Sequence, residues 1–205
     1  MHPRQIDRFF RTLAETLNAP ATVILTGAAA GSLWGHVRAS LDVDFAISPS
    51  RRSPQAWARI EQAIERAQHL TGIAANYAED IDRWSAVSFL DYRRHTRPYR
   101  RFGTLEVRLL DPAYWSIGKI ARYLPPDIQD LAAVLKRQRI PFSRLVRLWA
   151  RAIRRSPHSP ALTRCRDHAE DFFRTFGPRI WGSSFRAELA IRQFRRALAG
   201  GSSAS

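Results

Sequence analysis

The chain contains little that would cross-link it or anchor it in a membrane. Cys165 is its single cysteine, so no internal disulfide can form, and we expect a reducing compartment. No apolar run reaches the roughly 18 residues that a membrane-spanning helix needs, and the first residues lack the apolar core of a signal peptide. These absences predict a cytoplasmic protein with no membrane partner.

Lysine is also scarce, because only Lys119 and Lys136 among the 33 basic residues are lysine and the rest are arginine. The 18 acidic residues divide evenly between residues 1–90 and 91–205, whereas most arginines follow residue 90. The net charge of +15 therefore lies in the second half. A basic half favours a polyanionic partner such as nucleic acid; a preference for arginine codons with an ordinary solvated surface is the alternative.

Two aspartates occur in a short apolar segment, where Asp42 and Asp44 alternate with Val43 and Phe45. Side chains alternate between the faces of a strand, so the two carboxylates share one face. Aspartate is uncommon inside strands, and paired carboxylates suit a hard cation such as Mg²⁺. We expect a metal pair here; the alternative is a solvent-facing sheet edge.

A turn of small residues, Gly27-Ala28, separates the preceding strand from a short helix. Such a turn lets backbone N–H groups approach a phosphate at the N-terminus of the helix. A turn that binds nothing is the alternative. A phosphate cradle combined with a metal pair is typical of phosphoryl or nucleotidyl transfer.

The segment 27–44 resembles the polymerase-β-like nucleotidyltransferase superfamily, in particular the small bacterial group of minimal nucleotidyltransferases and AbiEii-type toxins. These proteins have a Gly-Gly or Gly-Ser turn, a helix and an Arg-x-Thr/Ser-x-Asp-x-Asp segment, which residues 38–44 match. The turn differs here, because alanine has no hydroxyl to donate to a phosphate. The resemblance implies Mg²⁺ or Mn²⁺ at Asp42 and Asp44, and nucleotide binding by Gly27, Ala28, Arg38, Ser40 and Lys119.

The segment from Lys119 to Arg122, followed by Asp127 and Asp130, is similar to a later Lys-x-x-Ala/Gly-Arg…Asp-x-x-Asp helix pair of that group. The lysine there contacts the triphosphate and the first aspartate supports the active site. The resemblance thus adds Lys119 and Asp127 to the catalytic residues. The alternatives are a surface lysine and a helix N-cap after two prolines.

Many members of the superfamily use a third carboxylate on a neighbouring strand, for which Glu106 and Asp91 are the candidates. Glu106 faces away from the apolar side of its strand, on the face of Arg108, so pairing with that arginine is an alternative to metal binding. Glu106 is included among the predicted metal ligands, and the choice between it and Asp91 stays open.

Arginines interleave with aromatic residues over 91–103, which we expect to be a loop between strands at 84–90 and 104–110. Arginines bind backbone phosphates and aromatic rings stack on unpaired bases. A solvated hairpin loop is an equal alternative. Another row of arginines, at helical spacing over 144–155, is most often a solvated helix face, though it could track RNA. The predicted nucleic-acid ligands are Arg93, Arg94, Arg97, Arg100 and Arg101.

The patterns predict an α/β (α+β) fold: a nucleotidyltransferase-like mixed sheet flanked by helices over 1–140, an all-helical arginine-rich region over 141–199 and a disordered tail over 200–205. The predicted C-terminal helices are 142–154, 160–176 and 183–199.

The combined expectation is a metal-dependent enzyme that moves a nucleoside monophosphate from a nucleoside triphosphate to an acceptor hydroxyl. The resemblance to the toxin group and the basic half favour the 3′ end of a tRNA as the acceptor. The same resemblance implies a toxin with a cognate antitoxin. Transfer to a protein or small molecule is one alternative, and a catalytically degenerate protein that binds nucleic acid or a partner is another.

Overall fold

The structure, a computed structural model, describes residues 1–35 and 41–200. The chain divides into two compact units: residues 1–81 with 93–111, and residues 82–92 with 112 onward. The predicted boundary at residue 140 therefore falls inside the second unit. The prediction of a disordered tail concerns mainly residues 201–205, which lie outside the described residues.

The first unit contains a five-stranded mixed sheet with helices, so the predicted fold class is confirmed. Its elements are α1 (Pro3–Leu17), β1 (Ala21–Thr26), α2 (Gly27–Leu33), β2 (Asp42–Pro49), α3 (Pro54–Thr71), β3 (Ala74–Ala78), β4 (Thr96–Phe102) and β5 (Leu105–Leu110). The strand order is β3-β2-β1-β5-β4. Strand β1 is antiparallel to β2 and parallel to β5, β3 is parallel to β2, and β4 is antiparallel to β5.

One face of β2 is buried by the apolar stripe of α1. Phe9 and Phe10 of α1 are fully buried, and their ring centroids lie 6.0 Å and 5.5 Å from that of Phe45. Because side chains alternate along a strand, burial of Phe45 fixes which face the neighbouring Asp42 and Asp44 occupy. This helix therefore determines the orientation of both carboxylates.

The helix after β2 is capped at both ends. The Ser53 hydroxyl accepts a hydrogen bond of 3.0 Å from the backbone N–H of Ala56, and Pro54 begins the helix. Gly72 follows the last residue with φ of 66°, in the left-handed region that glycine adopts readily. These caps fix the ends of α3, which leads directly to β3.

The prediction of a strand at 84–90 and a loop at 91–103 is wrong. Short 3₁₀ turns occupy Ile81–Trp84 and Tyr92–Arg94, and Thr96–Phe102 is the edge strand β4. The two residues Gly103-Thr104 connect β4 to β5, and a two-residue turn with glycine at positive φ is a typical hairpin signal. Exposed arginines and a proline suit an edge strand, because they discourage pairing with another chain.

The second unit is helical and is built around Trp149. This side chain is buried against Phe172 and Phe173, and its indole N–H donates a hydrogen bond of 2.8 Å to the Ser116 hydroxyl. The apolar part of the ring is thus removed from water, while its N–H group keeps a hydrogen-bond partner. The helices are α4 (Pro112–Arg122), α5 (Pro125–Arg137), α6 (Phe142–Arg155), α7 (Pro160–Trp181) and α8 (Ala187–Leu198).

The expected break at Gly177-Pro178 is also wrong, because α7 continues through both residues to Trp181. Gly177 is buried, and a Cβ atom built there would lie 2.1 Å from Cε1 of Phe185. The glycine therefore provides room for an aromatic ring. Helix α7 ends instead at Gly182, whose φ is 94°.

Within the described residues, no helix is both long enough and apolar enough to cross a membrane.

We expect Gly177→Ala to lower the free energy of unfolding by about 1–3 kcal/mol, because the new methyl group would displace the Phe185 ring from its contacts with Phe142 and Trp181. Denaturant unfolding measures the change. Thr163→Ala, an exposed position on the same helix, is the control and should change little. Equal stability of the two variants would contradict the packing role of Gly177.

Candidate active site

Asp42 and Asp44 lie side by side at the start of β2, as the alternation predicts. The side-chain amide of Asn76 donates to Oδ2 of Asp42 at 2.8 Å and to Oδ1 of Asp44 at 2.9 Å. Because one nitrogen reaches both carboxylates, they share a face of the sheet, which confirms the placement predicted from strand alternation. Both aspartates are partly exposed, so a ligand can reach them. Their role in metal binding stays a prediction.

Sequence reasoning missed Asn76, which lies on β3 directly opposite Asp44 in the parallel β2–β3 pair. The local signal was an asparagine inside a predicted strand, where this residue is uncommon. Its partner could not be inferred, because the register between two strands separated by a helix is not a local property. The amide donates to two neighbouring carboxylates and thereby offsets part of their mutual repulsion.

Gly27 borders the same pair, because β1 ends at Thr26, which lies opposite Asp44. The φ of Gly27 is 62°, and a Cβ atom built on it would lie 1.7 Å from Oδ2 of Asp44. Only glycine fits this position, since any side chain would occupy the space of the carboxylate. Ala28 follows as a buried residue of α2. Phosphate binding by Gly27 and Ala28 stays a prediction.

The structure does not bring Glu106 to this pair. Glu106 aligns with Thr22, four residues before Thr26, which corresponds to about 13 Å along the sheet. Its carboxylate accepts a hydrogen bond of 2.7 Å from Arg108, so the alternative of pairing is what the structure contains. Asp91 is exposed and belongs to the second unit. Among residues 1–35 and 41–200, no three His, Cys, Asp or Glu side chains group in a way that could hold a metal ion.

Lys119 is buried within the second unit and is not a surface lysine. Its side chain is 3% exposed, and Nζ donates to Oδ1 of Asp127 and Oδ2 of Asp130, both at 2.7 Å. Arg122 adds two hydrogen bonds to Asp127, of 2.9 Å and 3.1 Å. The cluster thus joins α4 to α5 through two cations and two carboxylates.

Asp127 lies in the first turn of α5 and is not its N-cap, which is Leu124. Burial alone would raise the pKa of Asp127, but hydrogen bonds and charge from Arg122 and Lys119 lower the pKa overall. The carboxylate is therefore ionised at neutral pH. A compact ammonium fits between two buried carboxylates, which gives a structural reason for lysine at position 119 in a chain rich in arginine; contact with a triphosphate stays a prediction.

Arg93 is held inside the first unit. Its guanidinium donates to the Ser48 hydroxyl at 2.7 Å and to the Glu79 carbonyl, and it lies 3.7 Å from Asp80. The neighbouring Arg94 is exposed. Arg93 therefore connects the 3₁₀ turn to the end of β2 and to the residues after β3.

The three predicted nucleic-acid ligands on β4 are exposed, yet each has an acidic neighbour. Arg97 lies 3.6 Å from Asp111, Arg101 lies 3.8 Å from Glu106, and Arg100 pairs with Asp7. Asp7 also accepts a hydrogen bond of 2.8 Å from the Tyr99 hydroxyl. Burial and this bond raise the pKa of Tyr99 to about 12. These partners reduce the charge that β4 offers to a polyanion.

Arg38 and Ser40, the remaining predicted nucleotide ligands, lie outside the described residues. Comparisons with models of known protein families, with curated proteins and with solved structures find no match for this chain.

We expect Lys119→Met to lower the free energy of unfolding by about 3–5 kcal/mol, because it leaves two buried carboxylates with a missing counter-charge. Lys136→Met, at the only other lysine, is the matched control; its exposed side chain should contribute less than about 0.5 kcal/mol. Chemical denaturation followed by circular dichroism measures both. Similar values for the two variants would mean that the cluster does not stabilise the unit.

Proposed function

We propose that the chain is a metal-dependent nucleotidyltransferase with Asp42 and Asp44 as its catalytic carboxylates. The observation that carries the proposal is the pair itself, held by one Asn76 amide and bordered by the backbone of Gly27. Two partly exposed carboxylates that share one face of an otherwise apolar strand offer a pair of oxygen ligands that a cation can reach.

The donor set fits Mg²⁺ or Mn²⁺, because carboxylate oxygens are the ligands these cations use in proteins. Asp42 and Asp44 would hold the ion. When bound, it would neutralise charge on the triphosphate and on the departing pyrophosphate. Asn76 keeps the two carboxylates together, which limits the rearrangement that binding requires. Glu106 is not part of this proposal as a ligand, because it lies far along the sheet.

In the proposed reaction, an acceptor hydroxyl attacks the α-phosphorus of a nucleoside triphosphate in line with the leaving group. The bond from the α-phosphorus to the oxygen bridging the α- and β-phosphates breaks, pyrophosphate leaves, and the hydroxyl proton passes to solvent. The resemblance assigns the phosphates to Gly27 and Ala28; Lys119, which the resemblance also names, is buried between two carboxylates of the second unit. The protein contributes mainly by positioning the reactants and by stabilising charge.

The 3′ end of a tRNA is the proposed acceptor, supported by the net charge of +15 and by the resemblance to the toxin group. A toxin role would require an antitoxin that blocks the enzyme. Both ideas rest on the proposed reaction and gain support only if the reaction is observed.

The test is incubation of the protein with Mg²⁺, each of four α-labelled nucleoside triphosphates and total tRNA. We expect label on the RNA with the wild type and none with Asp42→Asn/Asp44→Asn, because neutral amides bind a hard cation more weakly than carboxylates do. Glu61→Gln/Glu65→Gln removes the same charge from the exposed side of α3 and is the control. Transfer that survives in the aspartate double variant would refute the proposed site.

The same assay separates the alternative functions. Label on a polypeptide would show nucleotidyl transfer to a protein acceptor. An absence of label, together with an absence of Mg²⁺-dependent triphosphate binding, would favour a degenerate protein that only binds nucleic acid or a partner.

Gly27→Ala should lower the transfer rate by about 100-fold, because its methyl group would displace the Asp44 carboxylate, and displacement by about 1 Å has an effect of that size. Gly72→Ala is the matched control: φ is 66° there, close to the 62° of Gly27, but nothing lies within 4 Å of the added Cβ. Both variants carry the same backbone strain. Equal rates for the two would indicate that proximity to Asp44 is irrelevant to catalysis.

A further inference from the structure

Four arginines form an exposed row on α6, which we name the arginine face: Arg147, Arg151, Arg154 and Arg155. Residues three or four positions apart lie next to one another on a helix, so the guanidinium groups recur about every 5.4 Å along its axis. The opposite side of α6 carries the buried Leu145, Leu148 and Trp149. The packing of that side holds the arginine face in a fixed orientation within its unit.

The arginine face has no counter-charge. Helix α6 contains no acidic residue, and none of the four arginines makes an ion pair with any residue in the described part of the chain. Some other arginines of the same unit do have acidic partners: Arg166 and Arg195 pair with Glu170, and Arg174 pairs with Glu188. The arginine face differs from these three positions in having no acid beside it.

Stability of the helix does not explain the whole row. Cations in the last turn interact favourably with the C-terminal end of the helix dipole, which accounts for Arg154 and Arg155. Arg147 and Arg151 lie earlier, and like charges four residues apart are destabilising. The row thus weakens α6 where it is not near the C-terminus, and a ligand of opposite charge would remove that repulsion.

Helix α8 packs beside α6 and carries further exposed arginines. A Cβ atom built on Gly200, just after α8, would lie 3.7 Å from Nη1 of Arg154, so the C-terminal ends of the two helices are neighbours. Helix α8 contributes the exposed Arg192 and Arg196, one turn apart.

We propose that the arginine face binds the phosphate backbone of RNA. A guanidinium donates to phosphate oxygens in a planar fork and keeps its charge at any physiological pH. A row of such groups matches a polymer with one negative charge per nucleotide better than it matches a single anion. The choice of RNA among polyanions rests on the proposed function, in which the acceptor is a tRNA.

The arginine face is not the surface that the sequence predicts to bind nucleic acid, which consists of the arginines within residues 91–103. Arg93 is bound inside the first unit, and the arginines of β4 have acidic neighbours within 4 Å. The four arginines of the arginine face have none among the described residues. Their charge is therefore fully available to a partner, and the arginine face should contribute more to RNA affinity than β4 does.

The experiment measures binding of fluorescent total tRNA to the full chain without any nucleotide, over a range of salt concentrations. Glutamine replaces arginine in each variant because the two have similar helix propensities. The face variant is R147Q/R151Q/R154Q/R155Q, and the β4 variant is R97Q/R100Q/R101Q together with R94Q, an exposed position two residues before the strand. The control is R11Q/R51Q/R59Q/R66Q, which removes the same charge from four dispersed exposed positions.

We expect the face variant to bind tRNA at least about tenfold more weakly than the control, with a slope of log affinity against log salt that is smaller by about three. The β4 variant should stay close to the control. Unfolding midpoints within a few degrees of the wild type would establish that the variants fold. Equal affinity of the face variant and the control would overturn the proposal, as would a larger loss in the β4 variant.

Two further measurements distinguish RNA binding by the arginine face from membrane binding and from the proposed transfer reaction. Vesicles of anionic phospholipid test a membrane as the alternative partner: loss of vesicle binding with unchanged tRNA binding in the face variant would overturn the proposal. The transfer assay is run in parallel on the wild type. A failed transfer assay with intact face-dependent binding would contradict the proposed function alone.

Discussion

The contact between α1 and β2 is the constraint on which the candidate site depends. Phe45 is fully buried against Phe9 and Phe10, and a strand that slipped by one residue would exchange its two faces. Such a slip would bury Asp42 and Asp44 without partners, at a large energetic cost. The aromatic cluster and the carboxylate pair therefore select the same register for opposite reasons, one apolar and one polar.

The features that could be predicted from the sequence are those that depend on residues close to one another along the chain. Alternation along β2 is a property of adjacent residues, and it led correctly to two carboxylates on one face. The caps of α3 are also local signals, and they agree with the structure. Asn76 was missed because its role depends on the parallel pairing of β3 with β2. The misassignment of β4 had a different cause, since exposed arginines were taken for a loop although the Gly103 turn indicated a hairpin.

Two features of the second unit, at Gly177 and Lys119, depend on side-chain packing that local sequence patterns do not reveal. Gly177 indicated a helix end, but the glycine makes room for the Phe185 ring and α7 continues. Lys119 was noticed because lysine is rare in this chain, yet its two carboxylate partners give it a structural reason independent of any ligand. A residue type that is rare in the chain indicates that its position is constrained. Only the contacts of the side chain show whether that constraint is structural or functional.

The charges of the protein fall into two physical classes. In the buried cluster around Lys119 each cation has a carboxylate within hydrogen-bond distance, as burial requires, because an unpaired charge in a low dielectric is prohibitive. The arginine face of α6 is solvated, so water makes its unpaired charges tolerable but does not cancel their repulsion at helical spacing. The same comparison applies to Asp42 and Asp44, which are partly exposed and share one neutral donor, Asn76. Burial thus explains the pairing around Lys119, whereas the like charges brought together at the carboxylate pair and on α6 are where opposite charge from outside, a cation in one case and a polyanion in the other, would lower the free energy.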